Sequence, residues 1–355
     1  MRSYLDHNAT SPLRPSAKAA MLAAMDIVGN ASSVHLEGRT AHRLLDESRE
    51  TIARALGVIA PMVVFTSGGS EANNLAVKGY ERVLVSAVEH PSAQVAAGKP
   101  EIIPVTPDGV VDLDALKTML PGPRALICVM LANNETGVIQ PLREIVGLAK
   151  EHGAVVHTDA VQMFGKLPLN FGLLGVDMMT VSAHKLGGPM GIGALVIRDG
   201  LALQPLIHGG GQELRRRAGT ENLVAIAGFA AAASEQPAQL KSLRNELEAA
   251  LGEAIIFGQG AERLPNTTCF AVPGMNAETL LMAFDLDGIA VSSGSACSSG
   301  KVAKSHVLAG MGVAEEISRA AIRVSLGWNT TSQDIEHFIA VWGRIVARAR
   351  ARAAA

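Results

Sequence analysis

Between Val63 and Val196 the chain alternates short, almost uninterrupted apolar runs with longer stretches of helical periodicity. Met62-Val63-Val64-Phe65, Val155-Val156 and Met178-Met179-Thr180-Val181 are each too short for a helix and apolar on both sides of a pleat. Strands of that kind alternating with helices predict a largely parallel sheet covered by helices on both faces. A helix is expected over 222–233, the breaker Ser234-Glu235-Gln236-Pro237 follows, and a second helix is expected over 240–251. The change to a smaller α+β domain is placed there, giving a large domain over 15–237 and a small one from 238 to 355. The arginine-rich end of the chain reads as a helix that frays into solvent.

Composition supports this picture. The 355 residues are 48% hydrophobic, enough for a large core, but only 3% aromatic, so Ala, Leu, Val and Met must fill the interior. No apolar leader follows Met1-Arg2-Ser3 and no run is long enough to span a bilayer, so a cytoplasmic protein is expected, with no membrane partner. The triplet Arg215-Arg216-Arg217 hints at nucleic acid, but a net charge of −2 without a basic domain argues against it. Those arginines read better as neighbours of an anionic site or as interface pairs. Three cysteines without a C-x-x-C pair exclude a disulfide scaffold and a structural zinc site. Cys128 and Cys269 lie in apolar, strand-like runs and are expected to be buried and inert, whereas Cys297 lies among Ser, Gly and Ala.

Ser182-Ala183-His184-Lys185 ends one apolar run and precedes Gly187-Gly188-Pro189. A lysine amine packed against strands loses its proton more readily and can attack a carbonyl carbon, although most Lys-Gly-Gly sequences are solvated turns. Upstream, Asp159 closes another apolar run; alone, it would serve equally well as a helix N-cap. Thr66-Ser67-Gly68-Gly69-Ser70-Glu71 follows a third, and strand, glycine turn and helix start together offer backbone N–H groups to an anion. The bland alternative is a capping turn with Ser70 as N-cap. No nucleotide-binding signature accompanies it. Lysine, carboxylate and anion cradle are what pyridoxal 5'-phosphate requires for its aldehyde, ring nitrogen and phosphate. Arg323, in an apolar run, must be paired, either with an internal acid or with a substrate carboxylate.

The chain resembles the cysteine desulfurases of the NifS/IscS type, in the class V aminotransferase group of fold-type I pyridoxal-phosphate enzymes. The blocks that carry the resemblance span most of the sequence and include Tyr4-Leu5-Asp6-His7-Asn8-Ala9-Thr10, Glu89-His90-Pro91, Asn133-Asn134-Glu135-Thr136-Gly137, Asp159-Ala160-Val161-Gln162, Arg217-Ala218-Gly219-Thr220 and Ser292-Ser293-Gly294-Ser295-Ala296-Cys297. The resemblance implies an α/β fold with a mainly parallel, seven-stranded type of sheet, and residues 1–14 folding back onto the small domain. It implies that Lys185 holds the cofactor and moves protons, that Asp159 pairs with the ring nitrogen, and that His90 stacks on the ring. Gln162 would donate to the phenolic oxygen, and Gly69, Ser70, Ser182 and His184 would hold the phosphate. Thr220 would reach the cofactor of the partner in a homodimer with shared active sites. Arg323 and Asn134 would bind the carboxylate of L-cysteine, and Cys297 would take its sulfur as a persulfide, leaving L-alanine. A sulfur-acceptor or iron–sulfur scaffold protein is the implied downstream partner. Two alternatives stay open: a selenocysteine lyase or other class V enzyme, and a non-catalytic sulfur-transfer scaffold.

Overall fold

The structure is a computed structural model that describes residues 2–294 and 304–353. Its central sheet has seven strands, in the spatial order Val63–Thr66, Gly193–Ile197, Met178–Ser182, Val155–Asp159, Leu126–Cys128, Val83–Ser86 and Glu101–Ile103. Only Gly193–Ile197 runs against its neighbours. The sheet is therefore mainly parallel, as the apolar runs predict. Almost every residue in these strands is buried, because helices cover both faces. Leu36–Leu56 and Leu223–Ala233 pack on one face with the larger core, and Gly69–Val77 packs on the other.

The expected helices form with slightly different ends. The first runs Leu223–Ala233, and the side chain of Asn222 caps it by accepting from the Ala225 N–H at 3.1 Å. The second is Lys241–Ala249, short of the expected span at both ends. Beyond it, an antiparallel sheet orders Ser292–Ser293, Ile322–Ser325, Thr267–Ala271 and Ile255–Ile256. Lys241–Ala249, Ala277–Leu286 and Ser332–Ala353 cover it around a second core. The start of the chain reaches this unit: Ser3–Tyr4 pairs in parallel with Ile289–Ala290, and Asp6 bridges to Ser325. Among the described residues, no helix is long and apolar enough to cross a membrane.

One consequence of the strand directions positions everything that follows. Thr66, Ser86, Cys128, Asp159 and Ser182 all finish at the same edge of the sheet. The loops after them carry Gly69, His90, Asn134, Gln162 and Lys185, so residues up to 116 positions apart converge, as at the ligand-binding edge of open α/β sheets.

Candidate active site

A cavity of about 310 Å³ opens at this edge, lined among others by Gly69, Ser70, His90, Asp159, Ser182, His184 and Lys185, with Asn8, Asn134 and Arg323 also on its wall. Nine of the residues proposed from sequence line it, and the structure treats them differently.

The anion cradle begins at Gly68, whose φ of +154° suits glycine, and the helix starts at Gly69. A Cβ on Gly69 would sit 3.1 Å from Val161 Cγ2, so the glycine lets helix and strand ends close up. Ser70 lies inside the helix and is not its N-cap; its position lines the cavity instead. Glu71 in the first turn accepts from the Ser67 N–H at 2.7 Å and forms a forked pair with Arg217, at 2.9 and 3.3 Å. This answers part of the arginine triplet. Arg217 neutralises a carboxylate beside the cradle, and Arg216 donates to the Pro61 carbonyl at 2.8 Å.

Asp159 is held rigidly. Its Oδ1 accepts from the Val161 N–H at 2.9 Å and its Oδ2 from Asn73 Nδ2 at 2.8 Å, so it is not a helix cap. Asn73 also donates to Ser92 Oγ at 2.9 Å, and that hydroxyl lies 2.7 Å from His90 Nδ1. A polar chain thus ties the carboxylate to the imidazole. Neither Asn73 nor Ser92 stood out in the sequence, although both line the cavity. His90 caps the short helix Pro91–Gln94, so the ordinary role of a histidine before proline coexists with its place in the site. Burial lowers its pKa from the usual imidazole value, with Lys185 adding to the effect and Asp159 opposing it. His184 is pushed down to about 4 by burial and by Lys185, so it is neutral near pH 7.

The turn bearing Lys185 is strapped down by the start of the chain. Ser11 donates its N–H to the His184 carbonyl at 2.8 Å and its hydroxyl to the Lys185 carbonyl at 3.1 Å. Arg14 Nε donates to the Leu186 carbonyl at 2.9 Å.

Arg323 is 1% exposed in its strand. Its Nη2 donates to Asp6 Oδ1 at 2.8 Å and its Nη1 to the Asn134 carbonyl at 3.1 Å. Its Nε is buried and has no partner among the described residues. An internal acid therefore holds one end of the guanidinium, on the wall of the cavity.

Two proposed residues stand apart from the cavity. Gln162 is buried but absent from the lining; it donates to the Asn8 carbonyl at 3.1 Å and accepts from Lys166 Nζ at 2.7 Å. Thr220 is exposed and also lies off the wall. Cys297 lies outside the described residues. Cys128 and Cys269 are both buried, and desolvation pushes their thiols well above the usual range.

The family model for class-V aminotransferases matches residues 3–338. The chain belongs to the class-V aminotransferase family. Within that family, the cysteine desulfurase IscS of Dictyoglomus turgidum is 39% identical over 374 residues, covering 98% of this chain and 95% of the relative. Among solved structures, a NifS-like protein from Rickettsia africae superimposes with a TM-score of 0.91 at 38% identity, covering 98% and 100% of the two chains. SspA in complex with cysteine gives 0.82 at 31% identity over 91% and 98%. The class-V fold type I architecture expected from the motifs is the one the chain adopts.

Proposed function

We propose that this chain is a pyridoxal-phosphate-dependent cysteine desulfurase that moves the sulfur of L-cysteine onto Cys297 and releases L-alanine. The observation that carries the reading is the presence of Lys185, Asp159 and Arg323 on the walls of one cavity. Its named relatives, the cysteine desulfurase among them, point the same way.

The residues fit the cofactor. The glycine cradle lets backbone N–H groups approach a phosphate, and Ser182 and His184 stand beside it. Asp159, fixed by two donors on the cavity wall, would pair with the cofactor's ring nitrogen. Pyridoxal phosphate, when bound, supplies an aldehyde that condenses with amines and a ring that withdraws the electrons left when a proton leaves Cα.

Arg323 Nε and the neighbouring Asn134 would take the substrate carboxylate, which sets which way the amino acid enters. Lys185, on the same wall, would hold the cofactor's aldehyde and would take the substrate Cα proton and return it. His90, whose pKa burial lowers, would assist proton transfer from the same cavity wall. The Cys297 thiolate attacks the substrate sulfur; the new S–S bond forms as the C–S bond breaks, and the electron pair and one proton end on the carbon skeleton as alanine. A protein thiol that accepts the persulfide sulfur is the downstream partner, with iron–sulfur or other thio-cofactor assembly as the destination.

The assembly belongs to the same reading. Thr220 is exposed and off the cavity wall, and Val28, Val34 and Leu36 are 79%, 88% and 64% exposed, a cost that a second subunit would relieve. A homodimer with Thr220 reaching the partner's cofactor accounts for both.

The decisive experiment supplies L-cysteine and a thiol reductant to the cofactor-loaded protein and measures alanine and sulfide. Cys297→Ala should keep the visible absorbance of the bound cofactor while alanine formation collapses. Full alanine formation by that variant would refute the persulfide route.

A further inference from the structure

Lys166 performs none of the tasks above, yet it is among the most unusual side chains in the molecule. It is 8% exposed, and its Nζ donates to Asn8 Oδ1 at 2.6 Å and to Gln162 Oε1 at 2.7 Å. Both acceptors are neutral amide oxygens. Burial, with Lys185 and Arg323 nearby, pushes its pKa far below the usual ammonium value. Two of its N–H groups are taken by these two acceptors. Lys166 and Lys185 also border a common void of about 20 Å³.

The contacts run from Lys166 to the substrate end of the cavity. An amide can be turned through 180° with little change in shape, and only its hydrogen bonds decide which edge carries the oxygen. Lys166 Nζ and Asn266 Nδ2, at 3.2 Å, both donate to Asn8 Oδ1. The Asn8 amide must then point its NH2 the other way, where it donates to the Asn134 carbonyl at 3.2 Å and to Thr267 Oγ1 at 2.9 Å. The Asn134 carbonyl is the atom that also receives Arg323 Nη1. In parallel, the Gln162 amide has its oxygen on Lys166 and its NH2 on the Asn8 carbonyl.

We propose that Lys166 is a positioning residue for substrate-carboxylate recognition: by locking the amides of Asn8 and Gln162 in one orientation, it fixes the Asn134 carbonyl and so the aim of Arg323. The proposal rests on the desulfurase reading, in which Arg323 and Asn134 meet the carboxylate.

Lys166→Met keeps the length and apolar stem of the side chain and removes both donors. In the cofactor-loaded enzyme it should raise KM for L-cysteine by about tenfold while kcat changes far less, since an interaction energy near 1.4 kcal/mol is typical of coupled neighbours. The apparent dissociation constant for L-alanine, read from the cofactor's absorbance without turnover, should rise by the same factor. Asn8→Asp keeps an acceptor for Lys166 but loses the donor to Asn134, and should reproduce the effect. The double variant should be no worse than either single one. A fall in kcat with KM and alanine affinity unchanged, or effects that simply multiply in the double variant, would overturn the proposal. Thermal unfolding of each variant without cofactor separates local from global damage: a tenfold affinity loss at an unchanged midpoint supports positioning, and a loss that follows the midpoint opposes it. If wild type itself makes no alanine from cysteine, the desulfurase reading fails instead.

Discussion

The cavity has two walls built in different ways. On the sheet-edge wall, Asp159, Ser182, His184 and Lys185 each sit at or just past the end of a strand, which sets their position, and a few ties from Asn73, Ser11 and Arg14 steady Asp159 and the lysine turn. On the opposite wall, Arg323 reaches Asp6 across 317 positions, and Asn8 reaches Thr267 across 259. The first wall is local in that the strand ends themselves chiefly set it; the other is a polar network in which each group is fixed by several distant ones. Removing a group from the first should cost chemistry with little loss of fold, whereas removing one from the second should cost binding and stability together.

The largest effect tests the local wall. Lys185→Ala should lower alanine formation by roughly 10³-fold or more, because one group both anchors the cofactor and transfers the proton. Its unfolding midpoint without cofactor should stay close to that of wild type. A midpoint that falls sharply would show that the lysine turn depends on its side chain and would erase the contrast between the walls.

Arg323→Met tests the network. Losing charge-assisted hydrogen bonds to a substrate carboxylate should raise KM for cysteine by about 30- to 100-fold, from roughly 2–3 kcal/mol. Asp6 would be left without its cation, and breaking a buried pair typically costs about 3 kcal/mol of stability. Kinetics and denaturant unfolding on the same preparation would check both. A variant as stable as wild type would mean that Asp6 is well served by Ser292, whose hydroxyl donates to Asp6 Oδ2 at 2.7 Å.

How much of each wall the sequence revealed follows from the same contrast. Asp159, Lys185 and the Gly68-Gly69 cradle were legible because each sits where an apolar run ends, and parallel strands bring such ends together. The mainly parallel sheet was legible for the same reason. Asn73 was not legible, because nothing local marks an asparagine that orients a carboxylate 86 positions away. Arg323 was recognisable as a buried cation needing an acid, but which acid was not. Asp6 becomes its partner only because the chain's start lies beside Ser325. Lys166 was invisible, since a lysine between Gly165 and Leu167 reads as a solvated turn until tertiary packing buries it. The bland alternative for Ser70, a helix N-cap, does not hold: the cap is Gly68, two residues earlier, in a conformation that suits glycine.

A smaller effect on the local wall is expected from Asn73→Ala. Asp159 would keep the Val161 N–H but lose a side-chain donor, and His90 would lose its link through Ser92. A fall in kcat of about tenfold with KM for cysteine nearly unchanged is expected, the loss of one hydrogen bond at about 1–1.5 kcal/mol. A change confined to KM would place Asn73 functionally with the network and blur the division.

The smallest effect uses pH to read the burial that both walls share. Glu89, next to His90, is fully buried, and desolvation raises its carboxyl from 4.5 to about 8; Glu135, next to Asn134, is raised to about 7 for the same primary reason. For a raised carboxyl, the folded state keeps a proton that the unfolded chain gives up. Its contribution is fully present below about 4.5 and is lost as pH rises through the folded value, by at most about 1.4 kcal/mol per pH unit. Glu89 Oε1 accepts from Ser86 Oγ at 2.9 Å and from the Met130 N–H, while Oε2 has no partner. Glu89→Gln keeps the accepting oxygen and cannot ionise. Thermal midpoints of wild type and Glu89→Gln should therefore nearly coincide at pH 5 and separate toward pH 8, with the variant higher by about 2 °C or more. Ser305 donates to Glu135 Oε2 at 2.5 Å and favours its charged form, so Glu135→Gln loses that advantage and should gain less. Parallel midpoint curves for Glu89→Gln and wild type from pH 5 to 8 would mean that Glu89 ionises in the folded protein as readily as in the unfolded chain. The interior beside His90 would then be far more polar than its burial implies.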